Sequence, residues 1–218
     1  MIEDTFRHKG LRKKLVEEVR RKGIRDEKVL DALNKVVRHL FMETGFINFA
    51  YKDQAFPIGA GQTISQPYTV AFQTELLEVE EHDKILEIGT GSGYQAAILL
   101  ELGARVYTIE RQKKLYLKTR KLLTDLGYKP HFFYGDGFEG LPAYSPFDKI
   151  LITAATSEIP EKLLQQLKIG GRIVLPLGGS FSQVMTSVIK EGEDKIKKSS
   201  HGFFVFVPLL KGTANDNN

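Results

Sequence analysis

The chain contains no cysteine. That excludes disulfide bridges, thiolate zinc sites, iron–sulfur clusters and any cysteine nucleophile. It also lacks a long apolar run. The longest, Phe203 to Leu210, is interrupted by Pro208 and falls far short of the ~20 residues a membrane helix needs. The opening residues Met1-Ile2-Glu3-Asp4 are acidic and carry no apolar stretch, so no secretory signal is expected and the expected address is the cytoplasm. Excess charge of one sign is scarce: 31 Lys and Arg stand against 27 Asp and Glu, a net charge of +4 over 218 residues. So small an excess accommodates an anionic ligand without demanding nucleic acid. The five histidines, His8, His39, His82, His131 and His201, form no short ligand spacing, and no metal is expected.

What is present is a globular composition, 42% hydrophobic and 27% charged, in a length that suits one domain. Leu11, Leu15, Val16 and Val19 recur at helical spacing before Gly23, and Asp26 stands where it can cap a second helix carrying Val29, Leu30, Leu33, Val36 and Val37. Residues 38 to 66 show no clear period but are rich in aromatics, which predicts a long, packed, functional loop. A helix is predicted over Pro67–Leu77, with Ser65 or Gln66 at its cap. Beyond it, strands at Lys84–Ile88, Arg105–Ile109, His131–Tyr134, Lys149–Thr153 and Arg172–Pro176 alternate with helices at Tyr94–Leu102, Gln112–Leu126 and Pro160–Leu167. Such alternation predicts an α/β fold, a doubly wound and mostly parallel sheet. Gln183–Lys190 and Phe203–Val207 follow with only a charged loop between them, so they should pair antiparallel at one edge.

The strongest local pattern is Ile85-Leu86-Glu87-Ile88-Gly89-Thr90-Gly91-Ser92-Gly93-Tyr94. A buried strand runs into a glycine-rich turn that opens a helix, which presents backbone N–H groups and a helix N-terminus to a ligand. The dinucleotide fingerprint wants glycine or alanine where Tyr94 stands. The spacing G-x-G-x-G after the acid Glu87 instead resembles the first motif of class I S-adenosylmethionine-dependent methyltransferases. Glu110, about 20 residues beyond Gly89, is placed to accept hydrogen bonds from ribose hydroxyls, or else is a solvated strand-end acid beside Arg111. Asp136, in Gly135-Asp136-Gly137, belongs at the same carboxyl edge, or is an Asp-Gly turn and no more.

A second segment, Ala50 to Pro67, contains Gly61-Gln62-Thr63-Ile64-Ser65-Gln66-Pro67. It closely resembles the signature of the protein-L-isoaspartate (D-aspartate) O-methyltransferases. The resemblance continues through the glycine turn to Ala97, then through Tyr134–Gly137, Gly170–Val174 and Phe206–Leu209, and covers most of the chain from Arg38. It implies a Rossmann-like methyltransferase with S-adenosyl-L-methionine as cofactor and S-adenosyl-L-homocysteine as product. The implied reaction is methylation of the abnormal carboxyl of isoaspartyl proteins and peptides. It implies a cofactor site of Glu87, Gly89, Thr90, Gly91, Ser92, Gly93, Glu110, Asp136, meeting the adenine amino group, and Gly137. Ser65 is the implied catalytic residue, with substrate contacts from Gln62, Thr63, Ile64, Ala154, Ala155 and Val207. Residues 1–66 are then a helical and substrate-side cap, 67–211 the methyltransferase core, and 212–218 a frayed tail. There are two departures. Thr156-Ser157 follow Ala154-Ala155 where many bacterial members carry proline, and Val205 stands where the family has arginine.

The chemistry agrees with this resemblance. An isoaspartyl carboxylate has a pKa near ~4 and is already ionised at neutral pH, so it needs no general base. The site should offer neutral donors and no nearby carboxylate, and Gly59 to Pro67 contains no acid while supplying Gln62, Thr63 and Ser65. Ser65 could orient the substrate carboxylate, cap the following helix, or do both. Other chemistries fail on residues: there is no serine-hydrolase elbow and no phosphate-binding G-x-x-x-x-G-K-[ST] loop. An RNA or small-molecule methyltransferase of the same fold remains the alternative. Against RNA, lysines and arginines are spread among acids, not gathered in a basic, aromatic stripe. The expected partners are therefore isoaspartyl polypeptides, with no nucleic acid and no membrane, and the expected state is a monomer.

Overall fold

The computed structural model describes residues 3–179 and 181–215. Two helices, α1 (Phe6–Arg21) and α2 (Glu27–Lys35), open the chain. Each starts at a polar cap: the Thr5 hydroxyl accepts from the His8 N–H, and the Asp26 carboxylate accepts from Lys28 and Val29. This satisfies N–H groups that have no partner within the helix. Their apolar stripes, Leu15, Val16 and Val19 with Val29, Leu30 and Leu33, are buried in the main core.

The stretch expected to be irregular carries more order than its sequence suggests. It makes two 3₁₀ turns (Arg38–Phe41 and Thr44–Phe49) and then a hairpin of β1 (Phe56–Gly59) and β2 (Gln62–Ile64). Strands of four and three residues are too short to reveal a period, and Pro57 in β1 disguises it further. Helix α3 spans Pro67–Leu77, as predicted.

The main sheet holds β3 (Lys84–Ile88), β4 (Arg105–Glu110), β5 (His131–Tyr134), β6 (Phe147–Ile152), β7 (Leu167–Gly178), β8 (Gln183–Lys190) and β9 (Ile196–Phe204) in the order β5-β4-β3-β6-β7-β8-β9. The first five are parallel and the last two antiparallel, a Rossmann-like sheet with the expected antiparallel edge. Helices α4 (Tyr94–Glu101) and α5 (Lys113–Asp125) pack with α1–α3 on one face, while α6 (Glu161–Gln165) helps cover the other. After β5 the chain crosses from one side of β3 to the other, and such a switch point opens a crevice beyond the carboxyl ends of the strands.

Two expectations are corrected. The last strand runs over Ile196–Phe204, not Phe203–Val207. Its first half, with Lys197 and Lys198, lies at the sheet edge facing water and so lacks the apolar period that marks a strand. The tail is not frayed from Gly212. Ala214 exchanges backbone hydrogen bonds with Arg111 and Lys113, and Gly212 donates to Asp136 at 2.6 Å. Residues 216–218 of that expectation lie outside the described residues. No helix among the described residues is long and apolar enough to cross a membrane.

Candidate active site

A cleft of about 740 Å³ lies over the carboxyl ends of β3 and β4. Its floor is the glycine turn, one wall is β2 with the start of α3, and the other is the segment from His201 to Leu210. Of the residues expected from sequence, Gln62, Thr63, Ile64, Ser65, Gly89, Thr90, Gly91, Ser92, Glu110, Gly137, Ala154 and Val207 line it.

The turn is held from three sides. Glu110 accepts from the Gly91 N–H at 2.9 Å with one oxygen and from the Gln112 N–H at 2.8 Å with the other. Thr119 of α5 donates to the Gly91 carbonyl at 2.6 Å, and Thr153 at the end of β6 donates to the Gly89 carbonyl at 2.8 Å. Gly89 has φ +95°, and a Cβ there would stand 2.6 Å from the Thr153 hydroxyl, so no other residue fits. Ser92 accepts from the Tyr94 N–H at 3.2 Å, just ahead of α4. Glu110 is therefore not a solvated acid: it is buried, and burial raises its pKa. A carboxylate has about four acceptor positions, so after the two N–H groups it can still receive hydroxyls from the cleft.

Four expected residues do not line the cleft. Gly93 (φ +83°) packs instead against Thr119 and Leu123 of α5, where a Cβ would lie 2.7 and 2.8 Å from their side chains. Glu87 is fully buried beneath the turn, where Thr108 donates to it at 2.5 Å and Thr90 in turn lies 2.6 Å from Thr108. Its second oxygen has no partner among the described residues, and burial pushes its pKa up to about 8. Asp136 accepts from the Phe138 N–H at 2.8 Å and from the Gly212 N–H of the tail. Ala155 acts through its backbone, donating to Val207 at 2.8 Å and accepting from Leu209 at 2.7 Å. Those two bonds hold the C-terminal wall in place.

On the substrate side the geometry separates the two roles open to Ser65. The cap of α3 is Gln66, whose side chain makes no capping bond. The capping acceptor comes instead from the loop: Asp53 accepts from the Tyr68 N–H at 2.7 Å and from the Gln66 amide at 2.9 Å. The Ser65 hydroxyl makes no hydrogen bond among the described residues and lines the cleft. Its carbonyl accepts from Arg38 at 2.8 Å. Arg38 is fully buried, donates also to the Ala50 and Gln54 carbonyls, and stacks over the Tyr94 ring at 4.7 Å. One guanidinium thus ties the substrate-side loop to the helix that follows the glycine turn. Sequence reasoning missed Asp53, Arg38, Thr108, Thr119 and Thr153. Each acts across the fold and leaves no local spacing. The fold also gathers Asp4, His8 and His39 with ligand-type atoms within 4.8 Å, a cluster the sequence spacing did not show. There Arg12 takes both Asp4 oxygens at 3.0 Å.

Comparison with known proteins agrees with this arrangement. A family model described as protein-L-isoaspartate(D-aspartate) O-methyltransferase matches residues 10–214. Protein-L-isoaspartate O-methyltransferases of Christiangramia forsetii and Flavobacterium johnsoniae are 54% and 56% identical over 211 residues, covering 96% of this chain and 99% of each relative. A solved protein-L-isoaspartate O-methyltransferase superposes with a TM-score of 0.81 at 26% identity, covering 90% of this chain and 65% of that one. A Plasmodium falciparum structure in complex with S-adenosyl-L-homocysteine shares the fold, with a TM-score of 0.81 at 24% identity over 92% of this chain and 99% of that one. The chain belongs to the protein-L-isoaspartate (D-aspartate) O-methyltransferase family.

Proposed function

We infer that this cleft carries out the reaction of its family, transfer of a methyl group from S-adenosyl-L-methionine to the carboxylate of L-isoaspartyl residues in damaged proteins and peptides, the first step of their repair. The observation that carries the reading is the meeting, in one cleft, of the Gly89–Ser92 turn with the acid-free wall Gln62–Ser65. The cofactor side fits S-adenosyl-L-methionine: the Gly89–Ser92 backbone leaves room for close approach, α4 presents its N-terminus, and Glu110 keeps acceptor capacity for ribose hydroxyls. Bound there, the cofactor supplies a methyl group on a sulfonium, which is electrophilic without further activation.

The protein's own work is alignment and exclusion of water. Glu110 is the sole carboxylate among the residues lining the cleft, and it is buried against backbone N–H groups. The substrate carboxylate therefore meets neutral donors: the Ser65 and Thr63 hydroxyls and the Gln62 amide. Ionised at neutral pH, it has no proton to lose and needs no base. Holding it in line with the methyl group is worth roughly 7–11 kcal/mol, and Phe204, Phe206 and Val207 help keep water out. Arg38 fixes Ser65 from behind. The lining contains no lysine, and Arg111 is its one arginine. That favours polypeptide over nucleic acid. The enzyme acts as a monomer in the cytoplasm on this reading, which light scattering and cell fractionation check. The direct test is Ser65→Ala with an isoaspartyl peptide. Loss of one donor should lower kcat/KM about tenfold to hundredfold, the cost of roughly 1–3 kcal/mol for an unpaired group, with cofactor affinity little changed. Unaltered peptide kinetics would remove Ser65 from the site.

A further inference from the structure

The spacing of histidines along the chain predicts no metal site, but the fold brings three ligand-type side chains together outside the cleft. Asp4 precedes α1, His8 lies in its first turn, and His39 lies in the 3₁₀ turn Arg38–Phe41. Their ligand-type atoms all lie within 4.8 Å of one another, and none of the three lines the cleft. The His8 and His39 rings stand 4.0 Å apart with a tilt of 36°. His39 is fully buried, whereas Asp4 and His8 are half-buried. The cluster has a dry floor and one side open to water.

What marks it is which atoms are engaged and which are free. The His39 Nδ1 lies 2.8 Å from the Tyr51 hydroxyl, and its Nε2 is buried with no partner among the described residues. A buried polar nitrogen left unpaired is costly and calls for a partner. His8 is held by its other nitrogen too: Nδ1 lies 3.1 Å from the Glu3 carbonyl, 3.2 Å from the Thr5 hydroxyl and 3.4 Å from the Thr5 N–H. The shortest of these, to a carbonyl, puts the proton on Nδ1 and leaves the Nε2 lone pair free. A metal-ligating histidine donates one ring N–H to an oxygen and offers the other nitrogen to the metal, and both rings are set up this way. Asp4 is oriented by Arg12, whose two terminal nitrogens donate to its two oxygens at 3.0 Å. A carboxylate has about four acceptor positions, so capacity remains. Arg12 also donates to the Asn34 carbonyl at 2.6 Å and to the Tyr51 hydroxyl at 3.0 Å, so one guanidinium fixes both Asp4 and the oxygen behind His39.

We propose that Asp4, His8 and His39 bind a divalent cation of the zinc type, with water completing the coordination. Two imidazoles and a carboxylate suit zinc, whereas magnesium and calcium take oxygen ligands. Ligand atoms around a tetrahedral zinc lie roughly 3.3 Å apart, so the half-buried Asp4 and His8 side chains close onto the fixed His39 nitrogen. The Arg12 charge opposes a dication, which sets the affinity at micromolar order and not tighter. The bound cation clasps the start of α1 to the turn whose Arg38 donates to the Ser65 carbonyl. It stabilises the helical cap without entering the cleft.

Calorimetry on the whole chain with zinc, and with magnesium as control, tests the site. Zinc should bind once per chain and magnesium not at all at the same concentrations. His8→Ala, on the open side of the cluster, should weaken zinc binding by about a hundredfold or more, since losing even a residue that supports a ligand costs about tenfold to hundredfold. At free zinc about a hundred times Kd, the wild-type Tm should rise by about 5–10 °C. The His8→Ala Tm should not respond at that concentration, and melts in a chelator check that the variant folds. Absence of saturable zinc binding to the wild type overturns the proposal. Equal binding of zinc and magnesium does so too, because it marks scattered surface carboxylates. Undiminished zinc binding by a folded His8→Ala, Asp4→Asn double variant places the metal at the other histidines and overturns it as well.

Discussion

Replacing Asp53 by alanine isolates the structural support of the substrate wall from its chemistry. The Asp53 side chain is 2% exposed and receives three groups: the Tyr68 N–H at 2.7 Å, the Gln66 amide at 2.9 Å and the Lys22 ammonium at 2.5 Å. Lys22 keeps a second partner in Glu18 at 2.8 Å, so its loss is small. The cap residue Gln66 offers the α3 N-terminus no side-chain bond, and no side chain other than Asp53 among the described residues does so. Losing a cap costs about 0.5–2 kcal/mol, and losing a hydrogen bond to a charged group about 1.5–3 kcal/mol. These overlap, so the net cost of Asp53→Ala is about 2–4 kcal/mol. For a chain of this size each kcal/mol moves Tm by about 2–4 °C, which gives a drop of roughly 5–15 °C. Ser65→Ala removes a hydroxyl that makes no hydrogen bond among the described residues, so its stability should stay within about 0.5 kcal/mol of wild type. Scanning calorimetry of both variants, with peptide kinetics on the same preparations, reads the contrast. An equal fall in Tm for the two, or an unchanged Tm for Asp53→Ala, would refute the assignment of the cap to Asp53 and return Ser65 to a structural role.

Glu110→Gln must turn an amide N–H₂ toward either the Gly91 or the Gln112 N–H, because one carboxylate serves both. Cofactor affinity measured by calorimetry should fall about tenfold to hundredfold, matching roughly 1.5–3 kcal/mol for a charged hydrogen bond; unchanged affinity would contradict the role. Glu87 has a folded pKa near 8 against an ordinary value of 4.5, so the folded state holds a proton there that the unfolded chain has released. Its contribution is present below about pH 4.5 and is lost as the pH rises toward 8, at up to ~1.4 kcal/mol per pH unit. Glu87→Gln should flatten that part of the stability–pH profile, and a variant profile parallel to wild type would count against a buried neutral acid. Gly93→Ala should destabilise by about 2–4 kcal/mol in denaturant melts, from a left-handed φ and a Cβ pressed against α5; a variant as stable as wild type would refute the packing role.

The alternation of strands and helices was legible because each buried strand of the parallel sheet is a compact apolar run and each helix carries a stripe. The glycine turn was legible because it demands glycine at fixed positions along one segment. Residues 56–64 were not, since a three-residue strand and one containing Pro57 offer no period to read. The edge strand Ile196–Phe204 was displaced in the sequence reading because its solvent-facing half reads as a charged loop. At the site, backbone-determined positions were readable and cross-fold supports were not. Nothing local announces that Asp53 caps a helix beginning fourteen residues later, or that Arg38 holds the Ser65 carbonyl. Glu87, Gly93, Asp136 and Ala155 follow the motif yet are not among the residues that line the cleft. A motif records which residues surround a ligand together with those that support the surrounding backbone, and only packing separates the two groups.

The central claim is that geometry, not basicity, selects the carboxylate. Isoaspartyl and aspartyl carboxylates ionise alike, but the isoaspartyl link adds a methylene to the backbone and shortens the side arm. Small displacements of the reacting oxygen cost large rate factors. The most direct measurement is labelled methyl transfer from S-adenosyl-L-methionine to two peptides identical but for that link. The isoaspartyl peptide should be methylated and its aspartyl counterpart barely or not at all; equal turnover of the two would contradict the account.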